Sequence, residues 1–195
     1  MSEKWDRFYL NLAEFVATRL SKDPSTKVGA VLVNYEHNRE FLGYNGFPRG
    51  VKDDPERYNN RELKYKMVVH AEVNAILKAG DYARDSTLYV FPTFVIPPIC
   101  CDCCKIAIQA GVKEIVGYEA NDTDKERTNR KRSDGSSWAD SIAVSKQMCD
   151  EAGIKYRTVE KIKYMDLSDL SKPLSVDPNA SKPTEEELRK IYATP

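Results

Sequence analysis

His70-Ala71-Glu72-Val73-Asn74-Ala75-Ile76-Leu77-Lys78-Ala79-Gly80 is the stretch around which the rest of the chain can be read. Val73, Ile76 and Leu77 recur at helical spacing and Gly80 supplies a stop, so the segment predicts a helix. His70 and Glu72 are two positions apart. In mid-helix that spacing would turn them to different faces. In the first turn, before the helix is fully wound, both can aim at one spot beyond its N-terminus. A lone histidine in such a helix is commonly structural. Its weight comes from Cys100-Cys101-Asp102-Cys103-Cys104, thirty residues on, which opens a second predicted helix. A histidine, a glutamate and a Cys-x-x-Cys pair are the parts of a catalytic zinc site.

The chain has 195 residues, enough for one domain with a sizeable core plus an appendage. Lys+Arg and Asp+Glu number 30 each, so the net charge is zero. That balance argues against a broad basic face for nucleic acid. No apolar run is long enough for a transmembrane helix, and Met1 to Asp6 lacks the layout of a signal peptide. These features predict a cytoplasmic protein, in the host cytoplasm if it is phage-encoded, with no membrane partner. Four of the five cysteines fall between positions 100 and 104. Neighbouring cysteines cannot all find separate partners, so the cluster is no disulfide framework and points to metal or redox chemistry.

Trp5, Phe8, Tyr9, Leu12, Phe15, Val16 and Leu20 form an apolar helical stripe that predicts packing on a sheet. Val28 to Asn34 and Glu40 to Tyr44 read as strands joined by a hairpin-like turn. Gly46 to Asn60 reads as a long loop and Arg61 to Lys66 as a helical turn before the main helix. Thr87 to Phe91 predicts a strand and Pro92 to Ile99 an apolar connection. Cys101 to Ala110 then reads as a helix stopped by Gly111, and Lys113 to Tyr118 as a strand. Glu119 to Ser137 is polar and charge-rich, an exposed insertion. Its basic run, Arg127, Arg130, Lys131 and Arg132, reads as solvated surface. Trp138 to Ala152 predicts a third helix closed by Gly153, and Ile154 to Val159 a last strand. Residues 1–160 are thus one domain. Residues 161–195 form a polar tail in which Thr184-Glu185-Glu186-Glu187 resembles a capping box for a short helix. Helices alternating with strands predict a three-layer α/β/α sandwich around a mixed sheet of about five strands, with a parallel second half. Ligand sites in such sheets gather where strands end and helices begin, and His70 and Cys100 to Cys103 sit at such places.

Three protein ligands on zinc leave a fourth position for water, which separates catalytic from structural sites. His70 offers one nitrogen and the Cys-x-x-Cys two thiolates, at helix N-termini whose positive ends favour anions. Glu72 is placed to move protons rather than to ligate. A thioredoxin-like reading of Cys-x-x-Cys would leave His70 and Glu72 idle. Spacing alone admits both Cys100/Cys103 and Cys101/Cys104 as the ligand pair.

His70-Ala71-Glu72-Val73-Asn74-Ala75-Ile76 resembles the deoxycytidylate (dCMP) deaminase family of zinc-dependent deaminases. So do Asp23-Pro24-Ser25-Thr26-Lys27-Val28-Gly29-Ala30, Gly43-Tyr44-Asn45-Gly46 with Phe47-Pro48, and Thr87-Leu88-Tyr89-Val90. The resemblance covers about residues 5 to 118, with a weaker echo over 138–159. Counting back from Gln109-Ala110-Gly111, it implies Cys100 and Cys103 as ligands beside His70. It also implies one zinc per chain and Glu72 as the catalytic acid/base. The implied activity is hydrolysis of dCMP to dUMP and ammonia by a zinc-activated hydroxide, feeding thymidine nucleotide synthesis. Asn45 and the backbone of Ala71 would contact the substrate, and Ser25 and Lys27 would lie near its phosphate. Gly43, Tyr44, Asn45 and Gly46 would form an allosteric site where dCTP activates and dTTP inhibits. A homo-oligomer, commonly a hexamer, is implied, and no nucleic-acid partner. Rival readings are a deaminase of CMP, of a modified dCMP or of tRNA adenosine, and a catalytically silent zinc-holding module. The chain departs from the family pattern at Pro97-Pro98-Ile99-Cys100, where Ile99 separates proline from the first ligand and the preceding connection is longer.

Overall fold

The structure is a computed structural model that describes residues 2–93, 97–129, 131, 135 and 137–161. The helix expected near Thr184 and residues 130 and 132 of the basic run lie outside the described residues. Helix α1 (Glu3–Leu20) leads into strands β1 (Gly29–Asn34) and β2 (Arg39–Tyr44). Short helices α2 (Pro55–Asn59) and α3 (Arg61–Met67) precede α4 (Ala71–Ala79). Then come β3 (Thr87–Phe91), α5 (Cys101–Ala110), β4 (Glu114–Tyr118), α6 (Asp122–Asn129), α7 (Trp138–Ala152) and β5 (Lys155–Val159). Helices α2 and α6 are additions to the sequence reading. Helix α2 lies in the expected long loop, started by Asp54, whose side chain accepts from the Glu56 N–H. Helix α6 lies inside the insertion.

The strands form one sheet in the order β2-β1-β3-β4-β5. Strand β1 is antiparallel to β2 and β3, while β3, β4 and β5 run parallel. The parallel half follows from the helices α5 and α7, each of which crosses over between neighbouring strands. Alternate side chains of the central strands feed two cores. Ala30, Leu32, Leu88, Val90 and Ile115 pack with α4, α5 and α7. Val31, Val33, Tyr89 and Val116 pack with α1 on the other face. This is the expected three-layer sandwich.

The buried face of α1 differs from the expected stripe. Asp6, Tyr9, Leu10, Ala13, Val16 and Ala17 are buried, whereas Trp5, Phe8 and Leu20 are about half exposed. Small residues decide the matter. A Cβ at Gly29 would collide with the backbone of Ala13 and Ala17, so α1 sits on β1 backbone to backbone. Big side chains cannot occupy that seam and are turned outward. The same holds for α4, where Leu77 is 70% exposed and Ala71, Ala75 and Ala79 are buried. There the sheet partner is Gly43, whose Cβ would fall within 2.6 Å of the Ala75 nitrogen and closer still to the Ala71 carbonyl.

The two ends of the fold are tied by a buried ion pair. Asp6 of α1 takes two hydrogen bonds from the Arg157 guanidinium of β5, at 2.7 and 2.8 Å, and a third from the Tyr89 hydroxyl at 3.0 Å. Asp6 is 1% exposed. The Arg157 side chain is 35% exposed and also pairs with Glu114, so only the loss of Arg157 strands a charge, that of Asp6, at a cost of up to about 3 kcal/mol.

Substitution Gly43→Ala should destabilise the fold by about 3 kcal/mol, because its methyl group must push α4 off the sheet. Urea unfolding reads the loss. The same displacement moves the start of α4, so zinc content should fall as well. Unchanged stability would mean that α4 is not seated on position 43.

Candidate zinc centre and pocket

Both candidate metal-binding segments begin at a helix N-cap. His70 caps α4 and Cys100 caps α5, each with extended backbone, and neither makes a side-chain capping bond. Ser, Thr, Asp or Asn usually fills that position. Here the imidazole and the thiol face each other instead. His70 Nδ1 lies 3.4 Å from Cys100 Sγ and 3.2 Å from Cys103 Sγ. All three donor atoms lie within 4.8 Å of one another. Tetrahedral Zn–N and Zn–S bonds place such atoms about 3.6 Å apart, so this donor set fits zinc.

The cysteine register follows from packing. Cys104 points away from the centre into α7, with its Sγ 3.5 Å from Cys149 Sγ and 3.7 Å from the Ser145 carbonyl. Cys101 is partly exposed, and its backbone N–H donates to Ser141 Oγ at 3.0 Å. Of the two spacings open in the sequence, Cys100 and Cys103 are the pair brought to His70. No other such cluster of histidines, cysteines and carboxylates occurs among the described residues.

Glu72 sits in the first turn of α4 and is 5% exposed. Among the described residues its Oε2 has no hydrogen-bond partner. Buried carboxylate oxygens are nearly always paired, so an unpaired one at the chamber wall marks a place for a ligand. Burial pushes the Glu72 carboxyl up to about 7, and the charge on Cys100 adds to the rise. Burial, the largest single influence, would lower the histidine, but the Cys100 sulfur and the Glu72 and Asp102 charges together outweigh it and His70 rises to about 9. Hydrogen bonding from Cys103, with the charge of His70, holds the Cys100 thiol far below its ordinary range. These are the signs of a site prepared for charge.

The centre lies in a chamber lined by His70, Glu72 and Cys100 and walled by Val28, Val90 and Ile99, among others. Ile99, the extra residue before the first cysteine, is therefore part of that wall. Trp138, the first residue of α7, lies with its ring centroid 6.2 Å from that of His70 and 6.5 Å from that of Tyr65. Helix α7 has a full capping box, in which Ser137 and Asp140 bond to each other's backbone N–H groups. That box fixes where Trp138 enters.

The other nominated residues are placed as follows. Asn45 is 4% exposed and lines the chamber. Its Oδ1 accepts from the Val28 N–H at 2.9 Å and the Ser21 hydroxyl at 2.7 Å, and its Nδ2 donates to the Thr26 carbonyl at 2.8 Å. One amide hydrogen is left over from these bonds. Ala71 is the first residue of α4, so its N–H is one that the helix does not use. Ser25 Oγ is committed, donating to Asp23 at 3.0 Å and accepting from Lys64 at 2.6 Å. Lys27 Nζ caps the end of α1 through the Thr18 and Ser21 carbonyls. Gly43 lies beneath α4, the Tyr44 carbonyl accepts from Asn74 Nδ2, and Gly46 forms a two-way backbone bridge with Val69.

The sequence reading missed Lys64. Its ammonium pairs with both Asp23 oxygens, at 3.1 and 3.2 Å, and the two side chains are 5% and 2% exposed. Asp23 also accepts from the Ser25 and Thr26 N–H groups. The pair ties the loop after α1 to α3, which runs straight into His70. An aspartate before proline announces a turn, but nothing local announces its partner 41 residues away.

The profile of the cytidine and deoxycytidylate deaminase zinc-binding region matches residues 3–119. Mouse deoxycytidylate deaminase is 38% identical over 137 residues, which are 66% of this chain and 72% of the mouse protein. The human enzyme is 39% identical over 121 residues, 58% of this chain and 64% of the human protein. An uncharacterised deaminase of Aliivibrio fischeri is 35% identical over 158 residues, 80% of this chain and 93% of that protein. The dCMP deaminase of cyanophage S-TIM5, solved with dCMP and dUMP, shares the fold. Its TM-score is 0.54 over 82% of this chain and 99% of that one, at 22% identity. With its His70-Cys100-Cys103 cluster and buried Glu72, the chain belongs to the cytidine and deoxycytidylate deaminase zinc-binding family, whose members are hydrolytic deaminases.

Proposed function

We propose that the chain hydrolyses dCMP to dUMP and ammonia. The observation that carries this reading is the unpartnered Glu72 oxygen, buried beside a His-Cys-Cys cluster that fits zinc. The substrate is supported by the mouse and human relatives, both named deoxycytidylate deaminase.

Zinc held by His70, Cys100 and Cys103 supplies the Lewis acidity that makes water nucleophilic near neutral pH. The chain's own residues do the rest. Glu72 takes a proton from the attacking water through its free oxygen. It gives that proton to the ring nitrogen N3, and carries the second one to the departing amino group. The C4–N bond breaks, C4 keeps the water oxygen, and ammonia leaves. Burial, which raises the Glu72 carboxyl, suits it to both directions of transfer. The apolar chamber walls keep bulk water from the reacting carbon. The Ala71 N–H faces the base carbonyl, and the spare Asn45 amide hydrogen donates to the sugar.

A homo-oligomer such as a hexamer, a cytoplasmic setting, and a place in thymidine nucleotide synthesis belong to the same reading and rest on the family resemblance. So does control by dCTP and dTTP through Gly43, Tyr44, Asn45 and Gly46. Addition of dCTP should then raise, and dTTP lower, the rate of ammonia release at subsaturating dCMP. Unchanged rates remove that control.

Glu72→Gln should keep one zinc per chain, by metal analysis, and lose about 10³-fold in turnover. Loss of zinc would make Glu72 a ligand instead. Cys103→Ala should lose the metal. Cys104→Ala should keep it and cost about 1 kcal/mol of stability. The reverse pattern would shift the ligand pair by one residue.

A further inference from the structure

Two open grooves flank the Tyr65–Trp138 pair, and both are bordered by Arg61. One runs along the loop at Ser25, Thr26 and Lys27 and shares Thr26, Lys64 and Pro92 with the chamber. Its described lining includes no carboxylate. The other is bordered by Glu62, Asp102 and Asp140. A substrate whose base occupies the chamber extends its charged end into the groove free of acids.

The cations of that groove are Lys27, Arg61 and Lys64. Lys27 is bonded to two carbonyls at the end of α1, and Lys64 is locked against Asp23 and Ser25. Lys64 has its three donors engaged, and Lys27 keeps one of its three. Arg61 differs. Its Nε donates to the Tyr65 hydroxyl at 3.2 Å, and its guanidinium carbon lies 5.4 Å from the centre of the Tyr65 ring. No hydrogen bond among the described residues uses its terminal nitrogens. A guanidinium anchored at Nε presents its two remaining amines as a fork, the geometry that recognises phosphate oxygens in pairs.

We propose that Arg61 is the residue that recognises the 5′-phosphate and so makes the nucleotide, rather than the nucleoside, the substrate. The proposal rests on the deaminase reading and adds to it the residue that sets the substrate class. Tyr65 is the positioning residue that holds the fork. Lys27 and Lys64 contribute charge to the groove without touching the phosphate.

The test compares Arg61→Met, Arg61→Lys and Lys27→Met with the parent enzyme, all zinc-loaded, on dCMP and on deoxycytidine. Arg61 is exposed, so the variants should fold. Arg61→Met should lose about 30-fold in kcat/KM for dCMP, chiefly through KM, and stay within about twofold on deoxycytidine. Arg61→Lys should recover part of the loss, and Lys27→Met should lose less than Arg61→Met on dCMP. An equal loss on both substrates, no loss, or a larger loss in Lys27→Met would overturn the assignment. Calorimetric binding of dUMP and deoxyuridine gives a second readout that needs no turnover. If the parent enzyme deaminates neither compound but Arg61→Met still weakens dUMP alone, the reaction is wrong and the phosphate site stands. If dUMP binding is unaffected by Arg61→Met, the phosphate site falls.

Discussion

Everything at the active centre depends on a helix lying against a sheet at the distance set by a missing side chain. Helix α4 reaches the end of β2 because position 43 is glycine and positions 71 and 75 are alanine. That contact fixes the height and rotation of the first turn of α4, which carries His70 and Glu72. The bridge between Gly46 and Val69 fixes the chain just before it. From the other side, α5 begins where the segment after β3 ends and brings two sulfurs to the same point. Neither helix has freedom to relax away from the other, since both are packed into one core with the sheet between them and α1.

This rigidity is what keeps a carboxylate oxygen buried and unpaired. In a softer setting Glu72 would turn to solvent or find a backbone N–H. Here it is held at the wall of a chamber whose other polar groups already serve one another. Asn45, Ser21 and Thr26 are knitted together, and so are Asp23, Ser25 and Lys64. Those two networks settle the shape of the loop after α1 and leave few donors for a ligand. Polarity in the pocket is thus partly architectural, and Glu72, the zinc-fitting His70 and Cys100, and one Asn45 amide hydrogen are what it leaves for a ligand.

Local pattern was enough to read the order of the strands and main helices, and the His-x-Glu and Cys-x-x-Cys spacings were enough to find the centre. What local pattern does not give is chiefly what depends on residues far apart in the chain. The buried side of α1 was misjudged because large apolar residues give way to alanines where Gly29 lets the backbones meet. Helix α6 was hidden because it is polar on every face. Spacing alone leaves two cysteine registers open; the family resemblance implies Cys100 and Cys103, and Cys104 packs against Cys149, 45 residues on. Nothing local marks Lys64, whose Asp23 partner lies 41 residues before it, as buried.

The ion pair between Asp6 and Arg157 joins positions 151 residues apart. Protein synthesis runs from the N-terminus, so α1 emerges from the ribosome long before its counter-charge exists. The sheet up to β4 can assemble around α1 while Asp6 still holds water about it. Only when β5 is released and takes its place beside β4 can that water be expelled and the aspartate sealed in. The last strand therefore supplies the counter-charge without which Asp6 of α1 is buried with only the Tyr89 hydroxyl.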